Sequence, residues 1–452
     1  MEMMSQPWKV TREIKVRADV EFNRLNGSQW EDPPERQQRV GARLSRLIHH
    51  AAAQVPFYRQ RWDGALSREE NSEGFELLRR LPVISKHDLI TVFPDGCVAE
   101  KVDRSRFHLE FTSGSTGEAF RFYRDIAGMP MRIACRRLAD RWAGIQPGDR
   151  LVWIGAPFHK SERRVVEWLK VILGQEPPRF ISVFDLSART VPRHLARMMR
   201  APVSYVLAGY TSALLLMAQE IERQGLRLVR RPRCVIATAE TMGTVHRRLI
   251  EKAFGTSTIN QYASWEFGTV GFSCPDVPDL MHLNPEWYVC EILREDGSPA
   301  DTGEVGHIVI TDLTNEVMPF IRYDTGDLAK VSNPCPCGRT WPTIAHIEGR
   351  TSDRIVARSG RVIFSSMIDH FLQIQNDYTP YLVEYQTIQR NGSKLQFLCV
   401  PTSQWTPQIK ASLGHDLQTF FGIDFTVSVE AVSEIPREAS GKRPLMKSVE
   451  VS

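Results

Sequence analysis

The sequence predicts an α/β protein with two domains. The first is a large N-terminal domain with parallel, helix-covered sheets and an antiparallel β subdomain, and the second is a small α+β C-terminal domain. Strand and helix patterns alternate from about residue 150 to 262, and short alternating segments separated by Gly, Pro and Asp follow from about 270. The last stretch of about 100 residues mixes both patterns. We therefore expect domains at 1–350 and 351–452.

The composition is that of a globular protein. Of its 452 residues, 42% are hydrophobic and 24% are charged, which is enough to bury a sizeable core. The net charge of only +4 does not indicate a nucleic-acid binder. Eight cysteines are too few for a disulfide scaffold, and neither a signal peptide nor a membrane span is visible. We expect a cytoplasmic protein with no nucleic-acid or membrane partner, and a homodimer stays open.

The individual elements follow from the spacing of apolar residues. Positions 38–54 have the three-to-four-residue spacing of a helix, which would end before Pro56, and the polar stretch 65–75 predicts a loop. In the alternating region the predicted strands are 151–155, 180–184, 203–208, 234–239 and 257–262, and the predicted helices are 165–173, 193–200, 213–224 and 245–254. In the antiparallel region the predicted strands are 287–293, 303–313 and 327–332.

A candidate phosphate loop lies at 112–117. Its two glycines let backbone N–H groups turn inward, and its four hydroxyls add hydrogen-bond donors, so that it could wrap a phosphate. It consists of Thr112, Ser113, Gly114, Ser115, Thr116 and Gly117. The alternative is a polar surface turn.

Two further motifs could bind a nucleotide. Asp327 ends the tight Tyr-Asp-Thr-Gly-Asp turn, and a carboxylate on such a turn can accept both hydroxyls of a ribose. Lys442 follows a glycine near the C-terminus and offers a mobile positive charge for phosphate oxygens. The alternatives are an Asx turn that closes a hairpin and a solvated basic tail.

Cys274, His282, Cys335 and Cys337 form a candidate zinc site. Three thiolates and one imidazole complete a tetrahedron, and flanking prolines would stiffen the loops. The alternative is that buried free cysteines fill the core.

In their order along the chain, these motifs resemble those of the adenylate-forming enzymes, in particular the phenylacetate–coenzyme A ligase-like branch. The matching segments are 55–58, 81–86, 112–117, 239–241, 262–266, 322–327, 349–353 and 440–442.

The resemblance implies a two-step reaction. An organic acid, which could be aromatic, attacks the α-phosphate of ATP to give an acyl-AMP, and coenzyme A then displaces AMP. The C-terminal domain would be mobile, rotating between the steps, and would carry the catalytic lysine. Magnesium and a structural zinc are the implied metals, the latter because members of this branch have a Cys/His-bound zinc in the corresponding region.

The resemblance also implies residue roles. Lys442 and Glu266 would be catalytic, with Glu266 as the Mg²⁺ ligand, and Asp353 would be the hinge. Tyr210, Trp265 and Phe267 could line the acid pocket, although core packing explains them too. Tyr262 would lie against the adenine, and Asp327 and Arg350 would fix the ribose. The full set of nucleotide contacts would be the 112–117 loop, Ala239, Glu240, Thr241, Tyr262, Asp327 and Arg350.

Two alternative functions remain. An adenylating enzyme could pass the acyl group to an amine, a sugar or a carrier-protein thiol, and a degenerate homologue could bind nucleotide without catalysis. Trp265 stands where a Ser or Thr is usual in the family, and Glu118 where a lysine is frequent. Both departures are compatible with a non-standard substrate or acceptor.

Overall fold

A computed structural model gives the fold. It describes residues 12–63, 74–103, 107–111, 120–155, 180–187, 189–200, 203–350, 355–356, 362–363, 368, 371–372, 378–390, 392–438 and 443–449. The chain divides into two compact units. The first unit comprises Met1–Ala143 and Gln261–His346, and the second comprises Gly144–Asn260 and Ile347–Ser452. One border thus lies close to the predicted boundary at 350, while the division into 1–350 and 351–452 stays a prediction.

Two of the described α-helices begin at residues that favour a helix N-terminus. In α2, Pro33 occupies the first turn, and Val40, Leu44 and Ile48 lie on one buried face at helical spacing. The helix α5 begins with a capping box between Ser85 and Asp88. The helices are α1 (Arg12–Ser28), α2 (Pro33–Gln54), α3 (Pro56–Arg61), α4 (Gly74–Arg80), α5 (Lys86–Val92), α6 (Met129–Trp142), α7 (Val191–Arg200), α8 (Thr211–Gln224), α9 (Thr244–Phe254) and α10 (Pro407–Phe421).

The described strands fall into a hairpin, a large set of paired strands and a separate C-terminal sheet. They are β1 (Phe107–Phe111), β2 (Arg121–Asp125), β3 (Arg150–Gly155), β4 (Phe180–Ser182), β5 (Tyr205–Tyr210), β6 (Val235–Thr238), β7 (Thr258–Ser264), β8 (Gly268–Ser273), β9 (Met281–Leu283), β10 (Tyr288–Leu293), β11 (Val305–Asp312), β12 (Tyr323–Val331), β13 (Thr343–Arg350), β14 (Ile355–Val356), β15 (Val362–Ile363), β16 (Leu382–Arg390), β17 (Lys394–Pro401), β18 (Thr426–Ala431) and β19 (Met446–Val449).

The first unit is built on antiparallel strands. Their order is β10-β11-β12-β13-β9-β8-β7, and β7 and β13 each continue across a unit border. The pairs β10–β11, β11–β12, β9–β13, β8–β9 and β7–β8 are all antiparallel. This arrangement confirms the antiparallel β subdomain that the sequence predicts after residue 270.

The second unit contains the predicted parallel strands. Strand β3 pairs in parallel with β4 and β5, and β5 pairs in parallel with β6. All six residues of β5 are buried, as expected for a central strand with both faces covered. Helices α7, α8 and α9 alternate with these strands along the chain. The predicted helix 165–173 lies outside the described residues.

A separate four-stranded sheet forms the C-terminal α+β part of the second unit. Its order is β18-β17-β16-β19, and β14 pairs with β15 beside it in sequence. Phe397 and Cys399 of the sheet and Leu413, Leu417 and Phe421 of α10 are completely or almost completely buried in one core. The predicted small α+β domain is therefore present. Among the helices described here, none is long and apolar enough to cross a membrane.

Candidate active site and metal centre

A β-hairpin flanks the predicted phosphate loop. Strands β1 and β2 are antiparallel, and Phe111 pairs with Arg121 at the end of the ladder next to the connection between the two strands. Residues 112–117 connect these two strands and lie outside the described residues, as do Asp353 and Lys442. The proposed roles of these residues remain predictions.

Arg124 ties this hairpin to the segment that contains the predicted magnesium ligand. Its guanidinium lies 3.0 Å from Glu110 Oε2 of the neighbouring strand and donates a hydrogen bond to the carbonyl oxygen of Trp265. The Arg124 side chain is only 9% exposed, so the ion pair is largely removed from water. Glu266, which follows Trp265, is half-buried. The first unit therefore brings β2, the strand that follows the predicted phosphate loop, into contact with the segment of Glu266.

Tyr262 and Asp327 are in direct contact. The Tyr262 hydroxyl donates a 2.8 Å hydrogen bond to Asp327 Oδ2, and it lies 3.4 Å from Thr325 Oγ1. Burial raises the pKa of Tyr262 well above its usual value, so the phenol stays protonated and acts as the donor. The sequence suggested a place against the adenine for Tyr262. The structure adds a contact that the sequence did not predict: the Tyr262 hydroxyl orients the carboxylate of Asp327, the residue predicted to bind the ribose.

Backbone geometry builds the turn that carries Asp327. The N–H of Gly326 donates to Asp324 Oδ1 at 2.8 Å, and the N–H of Asp327 donates to Thr325 Oγ1 at 3.1 Å. Gly326 has a φ of +73°, where a side chain would be strained. The first of these bonds is that of an Asx turn, so the turn that was the alternative interpretation of this motif is present, and the ribose role of Asp327 stays a prediction.

Arg322, at the start of the same motif, adopts a left-handed backbone conformation with a φ of +50°. Its guanidinium makes a two-pronged ion pair with Glu291, with both N–O distances at 3.0 Å. The N–H of Ile84 donates to the Arg322 carbonyl at 2.9 Å, and Asp324 N donates back to Ile84 O at 2.8 Å. Two of the recognised motifs, 81–86 and 322–327, are therefore held together in space.

Ala239 is the other described non-glycine residue with a positive φ, at +69°. Such backbone strain persists only where the surroundings enforce it, and it clusters at functional sites. Both strained residues, Ala239 and Arg322, lie in segments predicted to bind nucleotide. This coincidence supports the assignment of those segments.

The predicted adenine-contacting loop, 239–241, lies beside the N-terminus of α8. Glu240 Oε2 accepts a 2.6 Å hydrogen bond from the backbone N–H of Ser212, and Oε1 accepts one of 3.1 Å from the Ser212 hydroxyl. The backbone N–H of Arg443, the residue after Lys442, also donates to Glu240 Oε1 at 3.1 Å. Thr241 is half-buried. The carboxylate of Glu240 therefore binds protein groups, an arrangement that the sequence did not predict.

The three predicted pocket residues differ in their surroundings. Phe267 is 1% exposed and packs against the aromatic rings of Tyr288, Phe320 and Tyr323. Core packing therefore accounts for Phe267. Tyr210 is 5% exposed, with its ring 6.2 Å from that of Trp153 in the second unit. Trp265 is half-buried, and Arg350, at the end of β13, is also half-buried.

The four predicted zinc ligands converge in the first unit. One ligand atom from each of Cys274, His282, Cys335 and Cys337 lies within 4.8 Å of all the others. Tetrahedral zinc with bonds of about 2.0–2.3 Å would place its ligand atoms roughly 3.3–3.8 Å apart. Cys337 Sγ lies 3.5 Å from His282 Nε2. The cluster therefore has the residue types of a closed four-ligand site, and its Cys337–His282 distance lies in the range expected for zinc.

The acid–base properties of the cluster agree with this interpretation. Burial lowers the pKa of His282 to about 4, so its ring is neutral at neutral pH, which is the form that binds a metal. Burial raises the pKa of Cys335 to about 12 and raises that of Cys274 as well. Burial acts in the same direction on Cys337, but hydrogen bonds from Arg339 and the neighbouring thiols outweigh it and lower its pKa. Metal binding would displace protons from these thiols.

Arg339 lies beside the cluster and makes ring and ion-pair contacts that the sequence did not predict. Its guanidinium lies 4.9 Å from the ring centre of Trp30 and 4.6 Å from that of Trp142, and 2.5 Å from Asp276 Oδ2. The indole N–H of Trp341 donates to Ser28 Oγ at 3.2 Å. The loop after Cys337 thereby fastens the end of α1, which is what a structural metal site would stabilise. The only sequence signal was the proximity of Arg339 to Cys337.

Comparison with known proteins agrees with these motifs. The chain is 27% identical over 363 residues to a phenylacetate–coenzyme A ligase of Thermus thermophilus, covering 78% of each protein. It is 24% identical over 374 residues to Protein CapK of Staphylococcus aureus, covering 81% of this chain and 79% of that protein. No protein-family model matches the sequence.

A solved 2-hydroxyisobutyryl-CoA ligase, in the postadenylation state and in complex with R3-HIB-AMP, shares the fold. Its TM-score is 0.68 at 23% identity, with coverage of 94% of this chain and 91% of that one. The predicted α/β fold class and the predicted resemblance to phenylacetate–coenzyme A ligases are confirmed.

Proposed function

We propose that this chain is an ATP-dependent ligase that activates a carboxylic acid as an acyl-AMP and passes the acyl group to coenzyme A. The observation that carries the proposal is the Tyr262–Asp327 pair on the strained 322–327 turn, within a fold shared with a CoA ligase. A buried carboxylate held by a neutral phenol suits hydrogen bonding to ribose hydroxyls. The 27% identity to a phenylacetate–coenzyme A ligase over most of both chains supports the same activity.

The chemistry defines what the proposed residues would do. Attack on the α-phosphorus brings one anion to another, so the barrier is largely electrostatic. Lys442 would neutralise the attacking carboxylate and the α-phosphate, and residues 112–117 would hold the β- and γ-phosphates. Asp327 and Arg350 would fix the ribose. The rate would come from positioning and charge, without a covalent bond to the enzyme.

Two metals accompany this proposal. Glu266, which is half-buried beside the contact between Arg124 and the Trp265 carbonyl, would hold Mg²⁺, a hard ion that prefers oxygen ligands. Cys274, His282, Cys335 and Cys337 would hold a structural zinc, because four protein ligands leave no open position for chemistry. None of the eight cysteines forms a disulfide, which supports a reducing cytoplasmic location.

A second candidate is an adenylating enzyme with an acceptor other than coenzyme A. One of the similar curated proteins, Protein CapK, is not named as a coenzyme A ligase. Trp265 favours an acceptor other than coenzyme A, since a bulky ring replaces the hydroxyl that is usual at that position in the family.

The proposed activity can be tested by ATP–pyrophosphate exchange against a panel of aliphatic and aromatic acids. We expect exchange that depends on one class of acid, followed by thioester formation when coenzyme A is added. Exchange without a thioester, together with product formation from an amine, sugar or carrier protein, would favour the second candidate. A folded protein that exchanges with no acid would indicate the degenerate homologue.

Tyr262→Phe is expected to raise the KM for ATP about tenfold with a smaller change in kcat. The substitution keeps the ring but removes the hydrogen bond to Asp327, and a bond to a charged group contributes about 1.5–3 kcal/mol. The measurement is steady-state kinetics with the acid that supports pyrophosphate exchange in the panel experiment. Tyr378→Phe is the matched control, because its hydroxyl makes a 2.6 Å bond to Asp416 on α10. An unchanged KM in Tyr262→Phe would remove Tyr262 from the ribose site.

A further inference from the structure

Arg339 contacts the candidate zinc ligands through its backbone and through its charged end. Its Nη1 lies 3.9 Å from Cys274 Sγ, and its backbone N–H donates to Cys337 Sγ at 3.4 Å. Gly338, between Cys337 and Arg339, has a φ of +86°, which lets the chain turn this N–H back toward the sulfur. One residue therefore contacts two of the three cysteines of the cluster.

Backbone N–H groups donate to the other sulfurs as well. Those of Asp276 and Val277 bond Cys274, and that of Cys337 bonds Cys335. A neutral thiol is a weak acceptor, whereas a thiolate accepts charge-assisted hydrogen bonds. This set of donors therefore suits cysteines that are deprotonated, as they are when they bind a metal.

Two indole rings hold the guanidinium of Arg339 in place. Its central carbon lies 4.9 Å from the ring centre of Trp30 and 4.6 Å from that of Trp142. Nε donates to Gln29 Oε1 at 2.9 Å, and Nη1 lies 2.5 Å from Asp276 Oδ2. A planar guanidinium that is stacked on aromatic rings and bonded at its edge has little freedom to rotate. Its positive charge is therefore fixed beside the sulfurs.

The surroundings of the cluster exclude water. Cys274 and His282 are completely buried, and Cys335 is 6% exposed. The ring of Trp142 packs edge-to-face against that of His282, with centroids 5.5 Å apart, so the same indole contacts a metal ligand and Arg339. Because buried charges are screened much less than exposed ones, a fixed charge here acts strongly on the sulfurs.

A zinc ion bound by three thiolates and a neutral imidazole carries one unit of net negative charge. Burying such a charge without a compensating partner is costly. Arg339, whose side chain is 12% exposed, supplies one positive charge. Asp276 offsets it less than its distance suggests, because its side chain is 59% exposed and its charge is screened by water.

We propose that Arg339 is a positioning residue of the metal centre, whose fixed positive charge compensates the buried zinc–thiolate group and thereby sets its affinity for zinc. This inference rests on the zinc site of the proposed function and is independent of the adenylation chemistry. It assigns a role to a residue that none of the sequence motifs includes.

Zinc affinity, measured by competition with a chelator, tests the proposal. Arg339→Met keeps the apolar stem and removes the charge, and we expect the dissociation constant for zinc to rise at least about tenfold. Arg339→Lys keeps a positive charge and should lose less affinity. Arg61→Met is the matched control, because Arg61 also lies over a ring, that of Phe57, and pairs with an aspartate, Asp88. Unchanged affinity in Arg339→Met, or equal losses in the Met and Lys variants, would overturn the proposal.

A spectroscopic measurement separates the charge of Arg339 from its packing. In the cobalt-loaded protein, the sulfur-to-metal charge-transfer absorption reports the energy of the thiolate electrons, which a nearby positive charge lowers. Arg339→Met should therefore move this band to longer wavelength, whereas Arg61→Met should leave it in place. An unmoved band in folded, cobalt-loaded Arg339→Met would overturn the role of the charge.

Trp30→Leu keeps the proposal testable if Arg339→Met does not fold. Trp30 is 54% exposed, so its replacement should not prevent folding, and it removes one of the two rings that hold the guanidinium. We expect the dissociation constant for zinc to rise about threefold, with a band shift in the same direction. No change in either quantity would overturn the proposal. An unsubstituted chain that folds without metal would instead overturn the zinc site itself, so the two failures are distinguishable.

Discussion

Lys442→Ala is expected to reduce ATP–pyrophosphate exchange by at least about 100-fold while ATP binding stays nearly unchanged. The expectation follows from the proposed chemistry, in which a single positive charge neutralises oxygens that crowd together only as the acid attacks. An interaction that strengthens in the transition state lowers kcat when it is removed and leaves ground-state binding nearly intact. Exchange at saturating ATP and calorimetric ATP binding measure the two quantities separately.

Lys410→Ala is the matched control for this experiment. Lys410 lies on the exposed face of α10, in the same C-terminal part of the chain, so its removal tests for a general effect of lost charge. Lys442→Arg should recover little activity, because a planar guanidinium does not reproduce the compact charge of an ammonium group. Exchange at the normal rate in Lys442→Ala would refute the role of this lysine.

Cys335→Ser is expected to abolish zinc binding and to cause the largest loss of stability among the variants considered. The unsubstituted chain should contain one zinc ion per molecule, since four ligand atoms already lie within 4.8 Å of one another. Without the metal, no cation would hold the buried cysteines together, and Arg339 would lose the negative charge of the metal-bound thiolates beside it. The loop would then be less ordered, and the contact from Trp341 to Ser28 would weaken. Elemental analysis and thermal unfolding measure the two effects.

Cys97→Ser provides the comparison for a buried thiol outside the cluster. Burial raises the pKa of Cys97 to about 12, and its Sγ contacts only a backbone carbonyl among the contacts described for it. We expect this variant to keep its zinc and most of its stability. A Cys335→Ser protein with unchanged Tm, or an unsubstituted protein that is folded and free of metal, would contradict the structural-zinc proposal.

Local sequence was sufficient for much of the fold because hydrophobic spacing is a property of short segments. The predicted helix at 38–54 is part of α2, and the predicted strand at 203–208 overlaps β5. The predicted helix at 213–224 likewise lies within α8, directly after that strand. Strand pairing within the antiparallel part and the connections of α1 to the metal loop depend on residues far apart in sequence, so spacing could not predict them.

The sequence by itself determined which chemical groups are present and in which order: hydroxyls and glycines at 112–117, a carboxylate at Asp327, and three cysteines with one histidine. Only the tertiary structure decided which of the described groups touch. It paired Tyr262 with Asp327, held Arg322 and Ala239 in strained conformations, and turned Glu240 toward Ser212 and Arg443. The physical reason is that hydrogen bonds and ion pairs act over a few ångströms. Their partners are selected by chain folding and burial, which no local pattern encodes.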